Sequence, residues 1–227
     1  MILRDLVGMP EFLAAEALQR AVWGAGDKED PGDLMMVIQH EGGLVAGAFE
    51  EDRLLGYIFA FPTATPGVQH SHRLAVLDEA RGRGIGVALK NYQRDWCLAR
   101  GIDVVRWTYD PLRRANAALN IGRLGAHARS YLPDYYGKMA GINQGVASDR
   151  LLAEWHLHSP RGGMVAGEVA RLATPEDFGA LLARDPAQAQ EVRLQSRDDF
   201  QAAFAQGLEI RGYDAARGEY LLAPRAD

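Results

Sequence analysis

Between His70 and Gly86 the chain sets two groups suited to chemistry side by side. The first is His70-Ser71-His72. At the two-residue repeat of a strand both imidazoles fall on one face, in line with Leu74 and Val76. Imidazole has an ordinary pKa of about 6.5, which suits proton removal near neutral pH. The alternative is that the pair only hydrogen-bonds neighbouring loops. The second group is Arg81-Gly82-Arg83-Gly84-Ile85-Gly86, which follows the apolar Leu74-Ala75-Val76-Leu77 and a polar corner, Asp78-Glu79-Ala80, and opens a helix. Glycine at alternate positions removes Cβ atoms that would hold a ligand off the backbone. Unpaired N–H groups and the positive end of the helix dipole favour an anion there, and Arg81 and Arg83 add charge. This is the chemistry of a pyrophosphate cradle. A dinucleotide fingerprint would need glycine where Val87 stands, and a nucleotide-hydrolase loop would need Gly-Lys-Ser/Thr. The remaining alternative is a glycine-rich turn with no ligand.

The elements that must position these groups can be read outward from them. A helix over 84–100 carries Ile85, Ala88, Leu89, Tyr92, Trp96 and Ala99 on its core face, with Lys90, Arg94 and Asp95 opposite. Strands over 70–77 and 103–109 flank it, and that spacing predicts a parallel pair with a right-handed crossover. Upstream come a short strand within 1–8 and a helix over 10–23 with a stripe of Leu13, Ala14, Ala17, Leu18, Ala21 and Val22. A second helix, capped by Asp33, ends at Gly42-Gly43. Residues 43–50 and 53–61 read as a hairpin. Downstream, a helix over 113–124 places Asn116 and Asn120 on the same side. Strands over 129–132 and 150–157 enclose a Gly/Asn-rich excursion at 137–148. In the remainder, capping boxes at Thr174–Asp177 and Ser196–Asp199 each start a helix, and a hairpin over 208–222 closes the chain.

At 227 residues with a formal charge of −5, the chain can bury a sizeable core, and its acidity argues against sequence-independent nucleic-acid binding. No apolar run is long enough to span a bilayer. Met1–Asp5 has no charged-then-apolar leader, so a cytoplasmic location is expected. The lone Cys97 has no internal disulfide partner and reads as a packed small hydrophobe.

Arg-x-x-Gly-x-Gly after a strand ending Leu-Ala-Val resembles the coenzyme-A-binding motif of the GNAT N-acetyltransferase superfamily, with Arg81, Gly84 and Gly86 in its slots and Asp78 where many members have proline. The element order is that family's too. The resemblance implies an α/β (α+β) fold with a mixed central sheet and helices on both faces over residues 1–158. Residues 159–227 are then an accessory α/β extension packed on the core. It also implies acetyl-CoA as co-substrate and no metal. The amides of Arg81, Gly82, Arg83, Gly84, Ile85 and Gly86 would hold the pyrophosphate, and Leu74, Ala75 and Val76 the pantetheine arm. The string from Trp107 through Asn116 to Leu124-Gly125-Ala126 looks like an uncharacterised bacterial branch of that family.

Transfer of an acyl group from a thioester to an amine needs a base, an oxyanion donor and a leaving group that departs with or without an acid. The resemblance makes the Val76 N–H the donor. His-x-His before Leu-Ala-Val is similar to the same segment of serotonin (arylalkylamine) N-acetyltransferase, where two histidines relay the proton, so His70 and His72 become candidate bases. The family's tyrosine acid is replaced by Ile121; Tyr131, Tyr135 or Tyr136 is the substitute, or the thiolate leaves unaided. Asn116 and Asn120 are candidates to bind CoA, although the family's usual asparagine register falls on Arg114. Tyr109 and Asp110 are candidates to line the acceptor cleft, with Asp110 receiving a cationic amine or merely capping the next helix. The expected function is acetyl-CoA-dependent N-acyl transfer to a primary amine of a small molecule or peptide. The alternative is a GNAT-like module that binds CoA or acyl-CoA without turnover. A second His-x-His, His156-Leu157-His158, raises a metal site as a third reading, without the carboxylate spacing of a cupin. For the extension, two roles stay open: a cover over the acceptor site or a homodimer contact.

Overall fold

The computed structural model describes residues 1–24, 26, 28–137, 145–159 and 165–225. They pack as two compact units, Met1–Arg106 and Trp107–Asp227. This division differs from the one expected at 158/159. Most of the Gly/Asn-rich excursion, residues 138–144, lies outside the described residues.

In the first unit β1 (Ile2–Asp5), β2 (Leu44–Glu50), β3 (Arg53–Pro62) and β4 (Val68–Val76) pair in antiparallel succession. Val68–His70 of β4 then pair in parallel with Val104–Arg106, the start of β5 (Val104–Tyr109). A parallel pair needs a crossover, and α3 (Ile85–Leu98) supplies it. The sheet is therefore mixed. α1 (Gly8–Trp23) and α2 (Gly32–His40) cover one face, where Phe12, Leu18 and Met35 pack with Val45, Tyr57 and Phe59. On the other face Ile85 and Leu89 of α3 pack with Ala46, Ala48, Ile58 and Ala60. Burial on both faces explains why β2 and β3 read as nearly unbroken apolar runs.

Three expectations are corrected here. The buried stripe of α1 is Phe12, Ala15, Leu18 and Gln19, and Leu13 is exposed. In α3 the buried face runs through Ile85, Leu89, Lys90, Gln93 and Cys97, so Lys90 points inward. The third correction concerns β4. Phe59 opposes Arg73 while Ala60 opposes Ser71, so His72 is an extra residue, a β-bulge. The bulge flips the alternation. His70, His72 and Arg73 lie on the α1/α2 face with Phe61 and Phe59, whereas Ser71, Leu74 and Val76 lie on the α3 face. The imidazoles share a face but are not in line with Leu74 and Val76.

In the second unit β6 (His127–Leu132), β7 (Arg150–His156), β8 (Ala170–Ala173), β9 (Leu208–Asp214) and β10 (Glu219–Pro224) run β7-β6-β9-β10-β8, with the β6–β7, β6–β9, β9–β10 and β10–β8 pairings antiparallel. The expected closing hairpin is β9–β10. After β5, α4 is one turn (Arg114–Ala117) that widens into a π turn over Ala118–Arg123, with Leu124 N–H donating to Leu119 C=O at 3.0 Å. α5 (Phe178–Arg184) is capped by Asp177, not Thr174, whose hydroxyl donates to Gly218 C=O. α6 (Pro186–Ala205) is one helix capped by Asp185, so Ser196 is buried inside it rather than starting it.

Candidate active site

The corner between β4 and α3 is built to present bare backbone. Gly82 and Gly84 both hold φ at 77°, in the left-handed region, and a Cβ added to either meets no atom within 4 Å. The space above them is open. Gly84 is the N-cap of α3 and offers no side chain, so the N–H groups of the first turn, Ile85, Gly86 and Val87, lack a capping partner. The Ile85 side chain is core and anchors the corner. Arg81 pairs with Asp78 at 2.8 Å, Arg83 with Glu50 at 2.6 Å, and Arg53 with Glu79. These are solvent-facing pairs, each worth little, and an arginine in one can trade its carboxylate for a phosphate. The corner thus fits a diphosphate.

The strand leading into the corner has one edge available. Leu77 N–H donates to Leu55 C=O at 2.9 Å. By alternation, the N–H and C=O of Ala75 also face β3, whereas those of Leu74 and Val76 face the opposite edge. On that edge, among the described residues of this unit, β5 pairs only with Val68–His70. Leu74 and Val76 thus direct backbone groups to the edge away from β3, and Ala75 contributes a buried side chain.

The His70 ring stacks on Phe61 at 5.1 Å, and His72 packs against Phe59 and Phe61 at 5.6 Å each, with 6.2 Å between the imidazoles. Burial, then the nearby His72, Lys90 and Arg106 charges, push His70 down to about 4, so it is neutral at physiological pH. His72 Nε2 lies 3.3 Å from Asp30 Oδ1. Burial pushes Asp30 up, but the His72 hydrogen bond and charge, with Arg73 at 2.8 Å, outweigh it and hold the carboxyl below its usual range. The α1–α2 loop that carries Asp30 is pinned from below. Buried Gln19 donates to Asp30 C=O and accepts from its N–H, and Glu16 accepts from Gly32 N–H at 2.9 Å. Neither Asp30 nor Phe61 was a sequence candidate; a polar Gln19 in an apolar stripe was the available signal.

Behind the pair, on the α3 face, lies a buried polar chain that the sequence did not suggest. Lys90 Nζ donates to Ser71 Oγ at 2.8 Å and to Gln93 Oε1 at 3.1 Å; Gln93 Nε2 and the Cys97 thiol both donate to Gln69 Oε1. Burial pushes the Cys97 thiol up to about 12 and Lys90 down to about 7. The folded protein therefore releases the Lys90 proton near pH 7, while the unfolded chain keeps it to about 10.4. Between those values the unfolded state binds more protons, so stability rises with pH, by at most about 1.4 kcal/mol per pH unit for this one group. Urea unfolding of Lys90→Met across pH 7–10 should show that increment gone relative to wild type. Parallel curves would place the amine in water.

In the second unit Asp110 and Tyr131 are committed to structural bonds. Asp110 accepts from both Arg193 Nη atoms at 2.8 Å and from Leu112 N–H. Its charge is therefore already matched, and it does not cap the next helix, whose N-cap is Arg113 without a side-chain bond; Asp110 instead braces the turn before it. Tyr109 is buried, and burial raises its phenol. Tyr131 is buried and donates to Asp149 Oδ2 at 2.8 Å; burial, then that carboxylate, raise its pKa. Asn120 is buried, with its C=O accepting from Ala126 N–H, and Asn116 is half-exposed. Among the described residues no group of three or more His, Cys, Asp and Glu side chains is placed to hold a metal. No helix among them is long and apolar enough to cross a membrane.

Residues 12–121 match the family model described as the acetyltransferase (GNAT) family. No curated protein matches the sequence. Among solved structures, the aminoglycoside 6'-N-acetyltransferase from Enterococcus faecium is 17% identical, with 72% of this chain and 100% of that one covered and a TM-score of 0.55. The ribosomal-protein-S18-alanine N-acetyltransferase from Escherichia coli is 14% identical, over 72% and 98%, at 0.56. An aminoglycoside 6'-N-acetyltransferase complexed with coenzyme A is 16% identical, over 72% and 100%, at 0.53. These likenesses concern the fold; with the family match over residues 12–121 and the glycine corner beside an open strand edge, they make the chain similar to the N-acetyltransferases of the GNAT family.

Proposed function

We propose that the protein transfers an acetyl group directly from acetyl-CoA to a primary amine of a small molecule or peptide within a ternary complex. Residues 1–158 would form the catalytic domain and 159–227 its accessory part. The observation that carries this reading is continuity: one strand, β4, leads into the open glycine corner and bears the histidine pair. Acetyl-CoA supplies the activated acyl group. The amides of Ile85, Gly86 and Val87 orient its diphosphate, with Arg81 and Arg83 alongside, and the outward backbone of Leu74 and Val76 takes the pantetheine arm. The Val76 N–H is the donor to the thioester oxygen. Asn116, half-exposed, is the remaining asparagine for the CoA moiety.

For the base, His72 is preferred over His70. Asp30 at 3.3 Å orients the ring. His70, held neutral in an apolar niche, is too weak a base to keep the proton and serves to relay it. The Tyr131 hydroxyl is already donated to Asp149, so the thiolate leaves unaided. Substituting His72 with alanine should lower kcat by roughly 100-fold, at the low end of general-base contributions. Acetyl-CoA binding should be intact, because the corner is untouched. Wild-type kinetics in both His70→Ala and His72→Ala would end the assignment.

Ile121 in the place of the family's tyrosine, buried and apolar, favours the second reading, a non-catalytic acyl-CoA-binding module. Steady release of CoA thiol in the presence of an amine panel separates the two. The cytoplasm is the proposed location, where an impermeant, highly charged acyl donor is made.

A further inference from the structure

The first unit has a cavity of about 310 Å³ lined by Val37, Ile38 and Glu41 at the end of α2 and by Phe61 and Pro62 at the end of β3. Its wall is shared with the histidines: the Phe61 ring that lines the cavity also stacks on His70 and meets His72. Val37 is 54% exposed, an apolar side chain left facing solvent at the cavity mouth. Four of the five lining residues are apolar and the fifth is a carboxylate.

Resting on the proposed N-acetyl transfer at His72, we infer that this cavity is the acceptor subsite and that the acceptor is a small monoamine with a compact, uncharged apolar body. The volume is at the lower end for ligand pockets, which limits the body to a ring or short alkyl group. The apolar walls would have to desolvate any hydroxyls or further ammonium groups without partners, which disfavours sugars and polyamines. A single carboxylate, Glu41, cannot match a polycation, and it repels a substrate that carries its own carboxylate. Asp30 does not add to the set, because its oxygens are engaged by His72 and Arg73. The body then lies on the Phe61 side, with the amine directed along the shared wall to the imidazoles.

The test uses the full chain with acetyl-CoA and four amines: hexylamine, 2-phenylethylamine, spermidine and kanamycin. Acetyl-CoA binding is measured separately by calorimetry. The expected result is a kcat/KM for the first two at least roughly tenfold above the others, the discrimination a few buried methylenes provide. Val37→Arg, on an exposed helical position, should lower kcat/KM for hexylamine roughly tenfold, mainly through KM, with acetyl-CoA binding and thermal midpoint unchanged. Preference for spermidine or kanamycin, or an unaltered hexylamine kcat/KM in Val37→Arg, overturns the inference while leaving N-acetyl transfer standing. Absence of acetyl-CoA binding would instead remove the reading on which the inference rests.

Discussion

Valine at position 84 is expected to abolish acetyl-CoA binding in a protein that still folds. Gly84 holds φ at 77°, where a β-branched residue is strained by about 1–3 kcal/mol. That cost alone would lower the thermal midpoint without saying anything about a ligand. Gly101 provides the control. It also has a left-handed φ, 70°, and a Cβ there also meets nothing within 4 Å, but it lies past the far end of α3. Gly84→Val and Gly101→Val should therefore lose comparable stability. They should differ in the response to ligand. At acetyl-CoA a hundredfold above its dissociation constant, wild type and Gly101→Val gain about 2.7 kcal/mol, and Gly84→Val gains nothing. The expected reason is steric: valine at the N-cap adds two methyl groups beside the first-turn amides proposed to hold the diphosphate. A ligand-induced shift that survives in Gly84→Val would remove the corner as the binding site.

This corner was legible from sequence because everything that defines it is local. Glycine spacing, the strand before it and the helix after it are neighbours along the chain, and left-handed φ at Gly82 and Gly84 follows from residue type. The shared face of His70 and His72 was legible for the same reason. The bulge at His72 was not, since it arises from how β4 registers against Phe59 and Ala60 of β3. One inserted residue was enough to turn Leu74 and Val76 to the opposite face from the imidazoles.

Lys90 failed for a different reason. A helical wheel assigns lysine to solvent, and only the combination of Gln69, Ser71, Gln93 and Cys97 makes an interior position tolerable. The box at Ser196 looked like a helix start because local capping chemistry was present there. Tertiary burial of Ser196, Phe200 and Phe204 instead carried one helix through it. The pairing of Asp110 with Arg193 was not legible because that partner is 83 residues away.

That partner sets the second large effect. Arg193 has 1% of its side chain exposed and Asp110 8%, joined through two hydrogen bonds of 2.8 Å. Four residues along α6, Arg197 grips Asp149 in the same two-pronged way at 2.7 and 3.0 Å, and the Asp149 side chain is fully buried. Removing one member of such a pair leaves an unmatched charge in a low-dielectric interior, at a cost of about 3–5 kcal/mol. Arg113 lies 4.0 Å from Asp110 and offsets part of this. Arg193→Met should thus lose a large share of the stability of a typical domain, about 5–15 kcal/mol in total. The double variant Asp110→Leu/Arg193→Met should recover much of the loss, because a packed apolar pair carries no desolvation debt. Urea midpoints of the four proteins in this cycle give the coupling directly. A coupling below about 1 kcal/mol would mean that water reaches the pair. Both arginines belong to 159–227 and both aspartates to 1–158. Two buried ion pairs thus tie the C-terminal segment to residues 107–158 within the second unit.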